Sequence, residues 1–213
     1  MIAYLIDGPL WTLSLIVFSV GVVWKLLTIV FTKRPVDLSV PRASSVPGAI
    51  KTVLTRFLPA QGMASRTSTK IVAGYMFHLG LFALLFFAAP HVRFLDQEFL
   101  GFSWTAMPHS AFIISAQFAF LGLLMLWLYR VLDPVSKLIS TTGDHIASIL
   151  TFVVMLTGCL ALLESFNELR LLHRFSVELF LIYFPFSSLM HAFTFIPSRA
   201  STGAWFGRRG ISS

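Results

Sequence analysis

Long apolar runs constrain this chain more than any other feature of its sequence. Five runs of mostly apolar residues each approach the ~20 residues that a helix needs to cross a hydrocarbon core. Only 12% of the 213 residues are charged and 56% are hydrophobic, whereas a water-soluble domain carries about 25% charged residues. The sequence therefore predicts one all-α membrane domain over residues 1–213. The predicted spans cover residues 9–31, 71–89, 111–129, 145–163 and 175–196, and a polar loop covers residues 32–70.

Lysine and arginine lie mainly on one side of the predicted spans. They occur in the loop over residues 32–70, in the loop after the third span and in the C-terminal tail, whereas the opposite side has only Arg93, Arg170 and Arg174. Positively charged loops face the cytoplasm. This distribution predicts an outside N-terminus and a cytoplasmic C-terminus. The basic residues lie beside spans, so the net charge of +7 does not indicate a nucleic-acid partner.

Several kinds of chemistry lack the residues that they require. Cys159 is the single cysteine, so this chain alone forms no internal disulfide and does not hold an iron–sulfur cluster, which takes about four thiolates. The sequence has neither an HExxH zinc motif nor a nucleotide-binding glycine loop. Glu178 is the main acidic residue inside a predicted span, whereas ion-coupled transporters usually need more intramembrane charge. The N-terminus does not have the pattern of a cleavable signal peptide.

Histidines provide the remaining candidate chemistry, because a histidine inside a span is costly unless it is paired or functional. His78 and His191, two of six histidines, lie at similar depth toward the cytoplasmic side of the second and last spans. Helices of a bundle place such residues around a cofactor in the core. We therefore predict that this pair binds an inner b-type haem through its iron. The alternative is that both rings only form hydrogen bonds between helices.

A second pair of histidines lies toward the outer side. His173 precedes His191 by 18 residues, which is about five turns and about 27 Å of rise if one continuous helix carries both. That phase predicts His173 as a ligand of an outer haem. The predicted partner is His91, because Pro90 and the end of the second span can redirect the chain there. Alternatively, His91 and His173 are merely solvated at the membrane interface.

Two further histidines are weaker candidates. His109 follows Pro108 at the outer start of the third span and is the alternative second ligand of the outer haem. His145 lies beside Asp144 at the inner start of the fourth span, where a capping or proton-handling role is more common than metal ligation. Residues 49–58 also form a short amphipathic pattern that suits a membrane surface or a protein partner.

These features resemble the gamma subunit of respiratory nitrate reductase and its relatives, the cytochrome b subunits of heterodisulfide-reductase-like and sulfite-reduction-associated complexes. The resemblance covers nearly the whole chain. Its most specific part is HRFSVELFLIYFPFSSLMHAFTF, which begins at His173, and GDHIASILTFVVMLTGCLA and AGYMFHLGLFALLFF are similar to the fourth and second helices of that family. The family's second ligand in helix two lies inside the span, whereas His91 lies further out.

The resemblance implies a di-haem b-type cytochrome subunit that is not a complete enzyme by itself. Electrons would pass between a quinone and a cytoplasmic redox subunit of the iron–sulfur, flavin or molybdenum type. His78 and His191 would hold the inner haem, and His173 with His91 the outer one. The competing functions are a non-redox membrane anchor and the cytochrome b subunit of a hydrogenase or formate dehydrogenase.

Overall fold

The computed structural model describes residues 1–32, 38–59, 64–162 and 166–211, and within these residues every regular element is a helix. The ten α-helices are α1 (Ile2–Leu5), α2 (Trp11–Phe31), α3 (Ser45–Thr55), α4 (Ala64–Phe87), α5 (Ala89–Leu95), α6 (His109–Leu132), α7 (Pro134–Ile139), α8 (Thr142–Ala161), α9 (Asn167–Tyr183) and α10 (His191–Arg208). The predicted all-α class is therefore confirmed for the described part of the chain.

Four helical segments are long and apolar enough to cross a membrane. They are Ile2–Phe31, Thr67–Phe87, His109–Leu132 and Thr142–Ala161. The bent pair Asn167–Phe186 and Ser188–Arg208 gives a fifth if it counts as one span. The first four predicted spans coincide with these segments, except that the predicted end at residue 163 lies outside the described residues. The same is true of residues 33–37 and 60–63 in the predicted polar loop.

The last predicted span is broken rather than continuous. A 3-10 turn (Phe184–Phe186) follows α9, Ser187 is extended, and a second 3-10 turn (Ser188–Met190) leads into α10, with a bend of 77° between the two segments. Pro185 explains the break, because proline has no N–H for the helical ladder and its ring clashes with the preceding turn. The prediction of a continuous helix from His173 to His191 is wrong, and the five-turn phase does not relate the two rings.

The flanks of that span also differ from the prediction. The predicted outer loop over residues 164–174 is already helical from Asn167 onward. The predicted polar tail continues as α10 as far as Arg208. Both helices extend past the apolar run because helix formation needs backbone hydrogen bonds and compatible neighbours, not apolar side chains alone.

The chain divides into two compact units. Unit 1 comprises Met1–Ala64 and Val177–Ser213, and unit 2 comprises Ser65–Ser176. The prediction of a single membrane domain stays a prediction.

In unit 1, the predicted amphipathic segment is α3, and it packs along α10. Gly48 and Gly203 make this approach possible, because a Cβ atom on either glycine would collide with the backbone of the other. Thr52 is buried in the contact, whereas Leu54 and Leu58 are exposed. One side of the segment therefore has a protein partner, and Phe57 also lies against Phe195 and Arg199 of α10. Leu54 and Leu58 lie on the exposed side. A small apolar core of Val22, Phe184 and Met190 packs α2 against the break.

In unit 2, α4, α6 and α8 share one apolar core. The buried core residues are Phe77, Leu84, Ala116, Ala119, Leu123 and Met155. Two glycines bring α4 and α6 together: a Cβ atom on Gly80 would lie 2.6 Å from the Ser115 carbonyl oxygen, and one on Gly122 would lie 2.7 Å from the Ala73 carbonyl oxygen. Small residues at such positions let membrane helices approach closely. This core supports the histidines of unit 2.

Candidate histidine site

Two of the predicted haem ligands lie side by side in unit 2. The ring centroids of His91 in α5 and His173 in α9 are 6.2 Å apart, and their planes are inclined by 28°. Both side chains are half-buried. The structure therefore brings together the two histidines that were predicted to face the outer side, although they are far apart in sequence.

Pro90 helps to place His91 where it is. The helix α4 ends at Phe87, Ala88 is extended, and α5 begins at once. Because Pro90 has no N–H, it cannot donate to the Phe86 carbonyl, and Trp104 donates to that carbonyl through Nε1 at 2.7 Å instead. The loop after α5 therefore satisfies this carbonyl at the end of α4, and the chain can turn without leaving it unpaired.

The His91 ring is held by the chain in one tautomer. Its Nδ1 lies 3.0 Å from the Leu84 carbonyl oxygen. A carbonyl oxygen only accepts hydrogen bonds, so Nδ1 carries the proton and Nε2 keeps its lone pair. Histidines that bind metals are commonly fixed in this way, with one ring nitrogen donating to a carbonyl and the other free to coordinate.

The His173 ring rests on a buried pair of hydroxyl groups. Its Nδ1 lies 3.2 Å from Thr157 Oγ1, which in turn lies 2.8 Å from Ser176 Oγ. The hydroxyl protons have backbone acceptors: Thr157 can donate to the Val153 carbonyl at 2.8 Å and Ser176 to the carbonyl of His173 at 2.7 Å. Thr157 Oγ1 can therefore accept from His173 Nδ1, which again leaves Nε2 available.

Gly158 lies against the face of the His173 ring. A Cβ atom at this position would lie 3.0 Å from Cε1 and 3.4 Å from both ring nitrogens. Such near-equal distances place the added atom over the ring plane. A larger residue at position 158 would therefore press on the imidazole and turn it away from Thr157.

The separation of the two rings suits a metal ion shared between them. Metal–imidazole bonds of about 2.0–2.1 Å put the two nitrogens about 4 Å apart and the ring centroids about 6 Å apart when both nitrogens point at the metal. The observed centroid distance is 6.2 Å. Within the described residues, no group of three or more His, Cys, Asp or Glu side chains is placed to hold a metal by itself. A haem iron needs only axial ligands from the protein, because the porphyrin supplies the others.

The other predicted pair is divided between the units. His78 lies in unit 2, half-buried between Phe77 and Phe82, and its Nδ1 lies 2.7 Å from the Gly74 carbonyl oxygen. His191 is the first residue of α10 in unit 1, is exposed, and has Nδ1 2.8 Å from the Ser188 carbonyl oxygen. Each ring therefore keeps the Nε2 lone pair that coordination requires. The pairing of His78 with His191 stays a prediction.

The remaining two histidines, His109 and His145, make no described contact with the histidines of the two predicted pairs. His109 is exposed at the first residue of α6. His145 lies half-buried in the first turn of α8, next to a capping box in which Thr141 and Asp144 bond each other's backbone. Thr141 and Asp144, and not His145, therefore cap the helix, and a ligand role for His109 or His145 stays a prediction.

A polar cluster lies at the opposite end of α4 and α6 from His91. Lys70 donates to Ser136 Oγ at 2.7 Å, lies 3.8 Å from the Asp133 carboxylate and covers the Tyr129 ring. Hydrogen bonds from the Ser136 side chain and backbone, helped by Lys70, lower the pKa of Asp133 below its usual range. Arg130 lies 3.5 Å from Asp144 at the start of α8. These contacts join the ends of four helices of unit 2.

Comparison with known proteins gives one clear relationship. The chain is 30% identical to a protein of Nitratidesulfovibrio vulgaris strain Hildenborough, over an alignment that covers 95% of this chain and 92% of that protein. The two proteins belong to one family. No model of a known protein family and no solved structure matches the chain.

Three residues of this family member were not predicted from its sequence to have a functional role. Thr157 and Ser176 support His173, and Lys25 lies inside the first candidate span. A signal was present for two of them. The Thr-Gly pair at positions 157 and 158 interrupts an apolar run, and Lys25 is a charge within a stretch of aliphatic residues. Ser176 had no such signal, because its role depends on how α9 packs against α8.

Proposed function

We propose that this chain is a di-haem b-type cytochrome subunit of a respiratory oxidoreductase, similar to the nitrate reductase gamma subunit. The observation that carries the proposal is the pair His91 and His173, whose rings lie 6.2 Å apart. Each ring can donate a hydrogen bond from Nδ1 into the protein. Two imidazoles of this tautomer at this distance suit the axial positions of one iron.

Haem iron between two imidazoles takes up and releases one electron at a time, which is the chemistry that the bound group would supply. The residues of the chain would bind the haem and orient the two imidazole rings. His91 and His173 would hold the iron. The Leu84 carbonyl and Thr157 fix the planes of the rings, and Gly158 leaves room for the His173 imidazole.

The second haem of the proposal is held by His78 and His191. The support is local: each ring has Nδ1 within hydrogen-bond distance of a backbone carbonyl on its own helix turn. The depth of the two residues in their predicted spans adds to this support. His109 remains the alternative ligand for the outer haem.

Orientation and partners follow from the distribution of charge. The proposed arrangement has the N-terminus outside and the C-terminus in the cytoplasm of a prokaryotic inner membrane, with the basic loop over residues 32–70 and the tail facing inward. A cytoplasmic iron–sulfur, flavin or molybdenum-type subunit docks on these basic residues, and quinone reacts near the outer haem. Lipid covers the apolar helix faces.

The competing function is a non-redox membrane anchor. The observation that favours it is that every ring of the four histidines already has a hydrogen-bond partner in the protein. Such bonds between and within helices contribute to stability without any cofactor.

A reduced-minus-oxidised absorption spectrum of the purified full-length chain distinguishes the two functions. The proposal expects the alpha band of a b-type cytochrome and two haems per chain by pyridine haemochrome assay. If the chain is expressed with added haem and the purified protein still lacks this band, the cytochrome function is excluded and the anchor function is retained. One haem per chain, lost in His191→Ala and kept in His91→Ala, would retain the cytochrome but remove the His91–His173 site.

A further inference from the structure

A groove in unit 1 is lined by a lysine, Lys25, to which the proposed function assigns no role. The groove has a volume of about 580 Å³ and lies along α2 and the first half of α10. The members of its lining that matter here are Lys25, Ser188, His191, Ser198 and Ser201. All five carry polar groups, although α2 is an apolar helix long enough to cross a membrane.

Lys25 has no partner of its own in the described part of the chain. No hydrogen bond or ion pair joins its ammonium group to another described residue. A charged residue within a span is costly unless it is paired, and it marks a functional site by default. The side chain nevertheless faces the groove rather than a carboxylate.

The hydroxyl groups on the α10 side of the groove are of two kinds. Thr194 and Thr202 donate to carbonyls of their own helix at 3.1 and 3.0 Å. The side-chain hydroxyls of Ser188, Ser198 and Ser201 make no hydrogen bond with the described residues and are free to donate. These three serines and His191 recur at intervals of about one helical turn or its multiples, which keeps them on one face.

The ligand that fits such a lining carries an oxyanion on an otherwise apolar body. A cation and three free hydroxyl donors complement a carboxylate or phosphate group, and charge-assisted hydrogen bonds of this kind are the strong ones. Ile29, Met190 and Pro197 line the same groove and suit an apolar portion. His191, which is predicted to bind haem iron, lines the same groove.

We infer that the groove beside Lys25 is a binding site for the oxyanion of an amphipathic ligand, with Lys25 as its counter-ion and Ser188, Ser198 and Ser201 as hydrogen-bond donors. Two sources share this chemistry. One is a propionate of the haem that His191 holds, in which case the inference rests on the proposed function. The other is the phosphate of an anionic phospholipid, which needs no haem.

Charge variants in the full-length chain test the site. Lys25→Gln removes the charge, Lys25→Arg keeps it, and Lys137→Gln removes one exposed lysine from α7, outside the groove. Each protein is purified and placed in nanodiscs of phosphatidylcholine containing one part in five of phosphatidylglycerol. Haem potentials are measured by redox titration, and phosphatidylglycerol that survives detergent exchange is counted by native mass spectrometry.

A haem propionate as ligand predicts that Lys25→Gln lowers the potential of the haem that is lost in His191→Ala. The reason is that a nearby positive charge favours the reduced form. A phospholipid phosphate predicts unchanged potentials and about tenfold weaker retention of phosphatidylglycerol. Either result supports the site if Lys25→Arg and Lys137→Gln behave as the unaltered chain.

Equal potentials and equal lipid retention in Lys25→Gln, Lys137→Gln and the unaltered chain would overturn the inference. Lys25 would then only extend its ammonium into the headgroup layer, as lysines near helix ends do. The double variant Ser198→Ala with Ser201→Ala provides a second test that leaves the charge in place, and it should weaken the same readout. A preparation without haem would remove the proposed function, while the lipid measurement would still decide the site.

Discussion

The two regions that contain the candidate iron ligands are built in different ways. In unit 2, His91 and His173 are half-buried, and a carbonyl and a buried hydroxyl pair face their Nδ1 atoms. In unit 1, His191 is exposed on a groove beside Lys25 and three serines whose side chains have no partner among the described residues. The first site is pre-organised by the packing of the protein, whereas the second groups a cation and hydroxyl donors around an open groove. Removing single groups should therefore affect the two regions differently.

The largest expected effect is the loss of one haem in His91→Ala and in His173→Ala. Under the proposed function, both variants should bind one haem per chain instead of two, because each would remove a ligand of the same iron. The measurement is the pyridine haemochrome content, with the reduced spectrum to show which component disappears. His109→Ala is the matched control and should keep both haems. If His109→Ala loses the outer haem while His91→Ala keeps it, the outer ligand is His109.

A smaller but general effect is expected from closing the contact between α4 and α6. In Gly122→Ala, the added methyl group would lie 2.7 Å from the Ala73 carbonyl oxygen and 2.9 Å from Phe77 Cα. Forcing this backbone contact should destabilise unit 2 by about 1–3 kcal/mol, measured as a lower thermal midpoint in detergent. Gly74→Ala is the control on α4, because a Cβ atom there meets nothing within 4 Å. Equal midpoints for the two variants would contradict the close helix contact.

A third, finer effect concerns the hydrogen bond to His173. Thr157→Val removes the oxygen that faces Nδ1 and keeps the shape of the side chain. Loss of this bond makes the imidazole a weaker electron donor, so the potential of the outer haem should rise by about 20–60 mV. Thr157→Ser keeps a hydroxyl group and should restore the original potential. A shift of the inner haem, or no shift in Thr157→Val, would contradict the assigned contact.

The smallest expected effect is a pH dependence of stability at the polar end of unit 2. The pKa of Asp133 is lowered in the folded chain, chiefly by hydrogen bonds from Ser136 and also by Lys70. A carboxylate with a lowered folded pKa stabilises the fold above its unfolded value of about 3.9. That contribution disappears as the pH falls through the folded pKa. The thermal midpoint of the unaltered chain should therefore drop more steeply below about pH 4 than that of Asp133→Asn.

Prediction from sequence succeeded where one residue property decides the structure. Apolar runs predicted four of the candidate spans to within a few residues. Prediction from sequence failed where contacts between distant residues decide the structure. His173 and His191 were predicted to share one face of a continuous helix, but the chain interrupts that helix at residues 184–190. Prediction from sequence also gave no means of finding Ser176, because the role of this hydroxyl group depends on how α9 packs against α8.

The sequence by itself determined the all-helical class, the approximate positions of the spans and the set of histidines, because hydropathy and residue type act locally along the chain. Only the tertiary structure decided that His91 and His173 lie 6.2 Å apart, that both can present Nε2, and that Lys25 shares a groove with His191. The physical reason is that ring tautomers and unpaired charges are set by groups distant in sequence. The long apolar runs of this chain therefore specify the helices. Glycine contacts and broken helix ends specify which side chains the helices bring together.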